Sequence, residues 1–305
     1  MSSPVLVKEI PLEKEYKKAT LITPADISKL RQWLDTQPHL PADLITELEL
    51  ILTYHCCERS AEVSKQVLDL HFTLKTLFTS FFKDRAVDAT VLNAANTVLA
   101  LPLDMRTAEG YAAFYARLLD TDVKKFIFSD SLRMVLMLLD LWHLEEGTWP
   151  GLVIVIDLDG LTLGHLARLE LLAVQQFLYY LQEAMLVKLK SVHFLNAPPF
   201  MDKLMMILRP FMKKKLMDMI NIHQVGATTI EKFVPREAMS KDIGGEFKTF
   251  QQAKDDIITR LKLNADFFAI ENKKRVTESL RPGKPKTITD IFGGIEGSFK
   301  KLDID

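Results

Sequence analysis

Residues 188–223 read KLKSVHFLNAPPFMDKLMMILRPFMKKKLMDMINIH, and this stretch decides the fold. Leu189 to Leu195 reads as a strand. Two helical pieces follow, Pro198–Leu208 and Pro210–Met219, each opened by a proline, which suits the first helical turn. A short strand near Ile220–His223 closes the unit. Strands alternating with helices imply a mainly parallel sheet joined by crossover helices.

The pattern extends upstream. Leu152 to Ile156 is a continuous β-branched run between Gly151 and Asp157, as expected of a strand buried on both faces. A helix is predicted over about 165–185, and another over 122–146. Thr97 to Leu103 and Tyr111 to Leu118 read as short strands around the turn-prone Asp104–Gly110. Before them, Thr23-Pro24 and Pro41 open helices, and Val63, Val67, Leu70, Leu74, Leu77 and Phe78 make a third apolar stripe. The expected architecture is α/β: an all-helical lobe over 1–95, a sheet domain over 96–250, and a C-terminal helix with a basic, turn-rich tail over 251–305.

The 305 residues carry a net charge of -1, which excludes broad electrostatic adhesion to nucleic acid. Cys56 and Cys57 are neighbours and cannot join distant segments, and two thiols alone make no structural metal site. With no apolar signal core in MSSPVLVKEIPLEKEYKK, a cytoplasmic setting is expected, with only transient visits to membrane surfaces. The most apolar stretch, Leu132 to Leu144, is interrupted by Arg133, Asp140 and His143 and is too short to span a bilayer.

Two motifs compete for the function. VIVIDLDGLTL (153–163) resembles the first motif of haloacid-dehalogenase-like phosphatases, in which an aspartate on a buried strand attacks phosphate and a second acts as acid. Here those residues would be Asp157 and Asp159. Leu161 stands where that family prefers Thr, and Asp255-Asp256 lies in a charged helix rather than after an apolar strand. The plainer reading makes Asp157 and Asp159 a strand-end turn that caps the next helix. The seven histidines are dispersed; His193 and His223 fall on predicted strands, where they could meet as core residues rather than as ligands. No metal site and no cofactor are expected.

The second pattern covers more of the chain. Residues 188–223, with a strand ending His-x-x-Asn-x-Pro, an apolar helix, Arg-Pro-Phe and a Lys-rich helix, resemble the signature of the CRAL-TRIO family. FVPREAMSKDIGGE (233–246) is similar to a later segment of that family, and DLDG at 157–160 also occurs there. The helical lobe and EGSFKKLDID (296–305) resemble insect members related to α-tocopherol transfer and retinaldehyde-binding proteins.

The resemblance implies a carrier, not an enzyme, that holds one hydrophobic lipid (a tocopherol, retinoid, carotenoid, sterol or similar) and passes it to membranes. The implied pocket wall comprises Met134, Leu138, Leu152, Ile154, Ile156, Phe177, Tyr180, Leu181, Met185 and Leu189. A mobile gate helix would present Phe200, Met201, Leu204, Met205, Ile207 and Leu208. Met134 and Leu138 stand where tocopherol carriers have serines, so a lipid hydroxyl would lose partners there. Lys188, Lys190, Lys213, Lys214 and Lys215 form the implied phosphoinositide patch at an anionic membrane. Two positions depart from that pattern: Met219, and His55-Cys56-Cys57-Glu58 in place of a basic run. A phosphatase, or an adaptor that binds only headgroup or protein, is the alternative. The identity of the lipid and the oligomeric state stay open at this level.

Overall fold

The computed structural model describes residues 6–293, so the EGSFKKLDID resemblance lies outside the described residues. The first part is helical: α1 (Leu12–Tyr16), α2 (Pro24–Leu34), α3 (Glu47–Cys56), α4 (Ala61–Leu77), α5 (Thr79–Phe82) and α6 (Ala89–Thr97). Thr23 and Thr46 each cap a helix through reciprocal bonds with the carboxylate three residues on, which satisfies amides the first turn leaves free.

A five-stranded sheet follows, with β1 (Val98–Pro102), β2 (Ala112–Leu118), β3 (Leu152–Asp157), β4 (Leu189–Ala197) and β5 (Ile220–Gln224) in sequential order. β1 is antiparallel to β2, and β2 through β5 run parallel. Each parallel step crosses over through helix: α7 (Phe128–Glu146), then α8 (Leu163–Leu166) and α9 (Leu171–Glu183), then α10 (Met201–Leu208) and α11 (Lys214–Met217). Sequential strand order with crossovers of one hand puts all these helices on one face. The opposite face is covered by the chain after β5, where FVPREAMSKDIGGE folds into short turns. Gly245 is required in them because a Cβ there would stand 2.0 Å from the Met239 carbonyl oxygen.

Two expected helices are shorter than predicted. α7 starts at Phe128 rather than 122, because Asp120 and Asp122 accept from the amides of Asp122 and Lys124 and hold the segment in turns. The helix predicted over 165–185 is broken between α8 and α9, where Leu166 and Leu169 both turn inward; burial overrides local helix preference there.

After β5, α12 (Phe250–Leu263) and α13 (Ala265–Glu271) return the chain to the N-terminal helices. Lys75 meets Glu271 at 2.7 Å, Lys274 meets Glu49 at 2.8 Å, and Arg281 meets Asp69 at 2.8 Å. The basic run after 270 is thus partly buried, with Lys274 only 4 % exposed. Among the described residues no helix is long and apolar enough to cross a membrane.

Candidate functional site

Strand residues alternate between the two sheet faces. On the helical face, Phe114 and Ala116 of β2 sit beside Ile154 and Ile156 of β3, and Val192 and Phe194 of β4 follow in register. The covering helices stand off from this row and leave a cavity of about 260 Å³. Leu132, Val135 and Leu139 of α7 close one side, and Phe177, Leu178, Leu181 and Met185 close another. Leu204, Leu208, Met212 and Leu216 complete the wall under α10 and α11. Every lining side chain but His165 is apolar, so the cavity offers burial and almost no hydrogen bonding.

Of the expected wall, Leu152, Ile154, Ile156, Phe177, Leu181 and Met185 lie on this cavity. Met134 and Leu138 do not. They sit roughly a quarter to a third of a turn round α7 from the lining residues, fully buried beside the elements α7 packs on. Tyr180 also points elsewhere: its hydroxyl is 3.3 Å from His71 Nδ1, in a smaller space between α4 and α9. Leu189, at the start of β4, packs on the core without reaching the cavity.

The residues named for the gate divide. Leu204 and Leu208 face the cavity, Met201 and Met205 are buried against the core, and Phe200 and Ile207 are half-buried. Met206 is 67 % exposed on the outer side. No side chain caps the N-terminus of α10, and Pro210 follows its C-terminus. The entry to α10 is set by Asn196, whose φ of 51° lies in the left-handed region that asparagine tolerates.

The five lysines gather at the ends of β4 and β5 where those strands begin, since Lys188 and Lys190 flank the start of β4 and Lys213, Lys214 and Lys215 precede β5. Most are engaged. Lys188 meets Glu58 at 2.9 Å, Lys213 meets Glu183 at 2.5 Å and Lys214 meets Asp218 at 2.7 Å. Lys190 lies over the Tyr111 ring at 5.3 Å. Lys215 is exposed and forms no ion pair among the described residues. Met219 is half-buried at the foot of β5, and His55 of the departed basic run bonds the Trp149 carbonyl at 2.8 Å.

Asp157 closes the opposite face of the sheet and does not cap a helix. Thr162 caps α8 instead. The Asp157 carboxylate accepts from Tyr115 at 2.7 Å, Asn196 at 2.8 Å, the Asp159 amide at 3.0 Å and Arg117 at 3.3 Å. Burial and this carboxylate push the Tyr115 hydroxyl up from its ordinary range. Nearby, His193 Nδ1 and His223 Nε2 are 3.0 Å apart, and Ser191 and Thr229 hold their other nitrogens. Burial, then the neighbouring His223, lowers His193 to about 4, and burial lowers His223 as well.

Residues 97–245 match the model of the CRAL/TRIO domain, which spans the sheet and its crossovers. The chain carries a CRAL/TRIO domain. Residues 22–91 match the model described as Pinta-like, UBA domain, which takes in α2 to α5. The chain is 24 % identical over 200 residues to the Alpha-tocopherol transfer protein-like protein of Mus musculus, covering 65 % of this chain and 53 % of that protein. Clavesin-1 of Xenopus laevis is 22 % identical over 223 residues, 72 % of this chain and 67 % of the relative. The match therefore spans only about half the length of the mouse relative. A solved structure described as Sfh5 aligns with a TM-score of 0.43 at 14 % identity, over 67 % of this chain and 77 % of that one.

Proposed function

We propose that the protein is a non-catalytic carrier that encloses one hydrophobic lipid in the cavity beneath α10 and exchanges it with membranes. The observation that carries this reading is a wall of apolar side chains around about 260 Å³ in a CRAL/TRIO domain. Apolar cavities of this kind stay dry and take apolar guests; one of about 150 Å³ accommodates benzene. Each Å² of lipid surface removed from water contributes roughly 25 cal/mol. The mouse relative described as Alpha-tocopherol transfer protein-like supports the same reading.

α10 is suited to open. Leu204 and Leu208 are its contacts with the cavity, its N-terminus lacks a side-chain cap, and Asn196 and Pro210 mark the two ends about which it would swing. At a membrane the exposed Met206 would enter the lipid first, so that the pocket opens into hydrocarbon rather than water. The lysines beside β4 and β5 would dock on anionic headgroups, in a cytoplasmic setting where phosphoinositides are the natural anionic partner. The four donors on Asp157 leave neither carboxylate oxygen for attack on phosphate, which supports a carrier over a phosphatase.

Native mass spectrometry with organic extraction of the protein from its own source tests this. One apolar lipid per chain is expected. A protein that arrives empty and takes nothing from a mixed lipid extract would sink the proposal.

A further inference from the structure

The cavity wall has one side chain that its apolar neighbours do not explain. His165 lies on α8, is wholly buried, and lines the cavity. The Thr162 backbone N–H donates to its Nδ1 at 3.1 Å, and the Thr162 hydroxyl is 2.9 Å from the same nitrogen. A backbone amide can only donate, so Nδ1 is an acceptor and the neutral ring carries its proton on Nε2. Burial and Arg168 lower this histidine, consistent with a neutral ring. Nε2 has no hydrogen-bond partner among the described residues. The Phe126 ring stands 5.5 Å away at 77° and offers at most a weak aromatic contact.

A buried donor with no acceptor is costly, and native proteins rarely leave one unmet. We propose that His165 is the polar contact of the lipid site, donating from Nε2 to a carbonyl oxygen on the cargo. The assignment rests on the carrier reading above and narrows it. A hydrocarbon would leave Nε2 unmet. An alcohol could accept from Nε2, but no other lining side chain provides a strong acceptor for its own proton. A ketone, aldehyde or ester satisfies the site with nothing left over.

The test uses the full chain loaded from phosphatidylcholine vesicles with farnesylacetone, an isoprenoid ketone, or with the saturated isoprenoid hydrocarbon of matching length. Affinities are measured for the wild type and for His165→Phe, which keeps an aromatic ring of similar size and removes the donor. Loss of this bond should lower the ketone-to-hydrocarbon preference about tenfold. An unchanged preference overturns the assignment while leaving lipid carriage intact. Should the variant fold poorly, the wild type decides: the infrared carbonyl stretch of bound 13C-labelled ketone falls below its value in alkane solvent if Nε2 donates, and an alkane-like stretch refutes it. A wild type that binds neither probe defeats the carrier reading itself, and this assignment with it.

Discussion

The Asn196 side-chain amide donates to the Asp157 carboxylate at 2.8 Å, joining the ends of two neighbouring parallel strands. Asn196 also holds a left-handed backbone at φ 51°, and the ladder of β4 shifts register just before it. The bond therefore fixes where β4 stops and in which direction the chain leaves for α10. Asn196→Ala loses the bond and places an alanine where it is disfavoured, so a loss of about 2 kcal/mol is expected by denaturant unfolding. Asp157→Ala should lose more, because Tyr115 and Asn196 are left without their acceptor, while Arg117 keeps Asp159 and the Leu118 carbonyl. A stable Asp157→Ala protein would instead free that residue for a role in chemistry.

Cavity residues and core residues should respond in opposite ways. Ile154→Trp fills space the wild type leaves open, so lipid uptake should fall at least tenfold with the unfolding midpoint held or raised. Met134→Ala removes a side chain buried outside the cavity and should cost about 2–5 kcal/mol of stability, with lipid affinity of the folded protein retained. If Met134→Ala abolished uptake and Ile154→Trp spared it, the cavity would be misplaced.

Acid should weaken the fold well above the carboxylate range. Burial, then Lys75, lowers His71 to about 3, and burial lowers His143 to about 4, against an ordinary 6.5. Between those values the unfolded chain binds the protons and the folded one does not, so stability falls as pH drops from 6.5. Below 4.5 a second loss begins at Glu271, where burial is overcome by the charges of Lys75, Lys274 and Arg85 and the carboxyl is held below its ordinary value. Each histidine accounts for on the order of 3 kcal/mol, read from denaturant midpoints between about pH 7 and pH 4, whereas most of the Glu271 loss falls below pH 4. His71→Asn should flatten the upper part of that slope, and an equally steep profile in the variant would assign the acid loss elsewhere.

The strands were legible because each is a short apolar run closed by turn residues. β3 was legible in its facing too: Leu152, Ile154 and Ile156 alternate with Val153 and Val155, so period two alone sorts them. Applied to β2 and β4, the same alternation finds Phe114, Ala116, Val192 and Phe194, which the sequence reading did not name. The phase of α7 was not legible. It is apolar nearly all round, with the sheet on one side and α5 and α6 on another, so no polar stripe separates Leu132, Val135 and Leu139 from Met134 and Leu138. His165 looked like one scattered histidine of seven, and only the apolar cavity gives it a setting.

The lysines differ in what holds them, and that predicts an order of effect at membranes. Lys188, Lys213 and Lys214 already sit within 2.5 to 2.9 Å of carboxylates, so their charges are partly met before any headgroup arrives. Lys190 and Lys215 are exposed and carry no such partner among the described residues. A lysine near an anionic surface is worth about 1 kcal/mol, so Lys190→Ala with Lys215→Ala should weaken binding to phosphoinositide vesicles about tenfold or more. Added salt should shrink the difference, because exposed charges are screened. Glu58→Ala acts in the other direction: it releases Lys188 and should tighten binding. Vesicle co-sedimentation at low salt reads all three. Binding that ignores both substitutions would make this a solvated lysine face, with membrane contact left to the apolar side of α10.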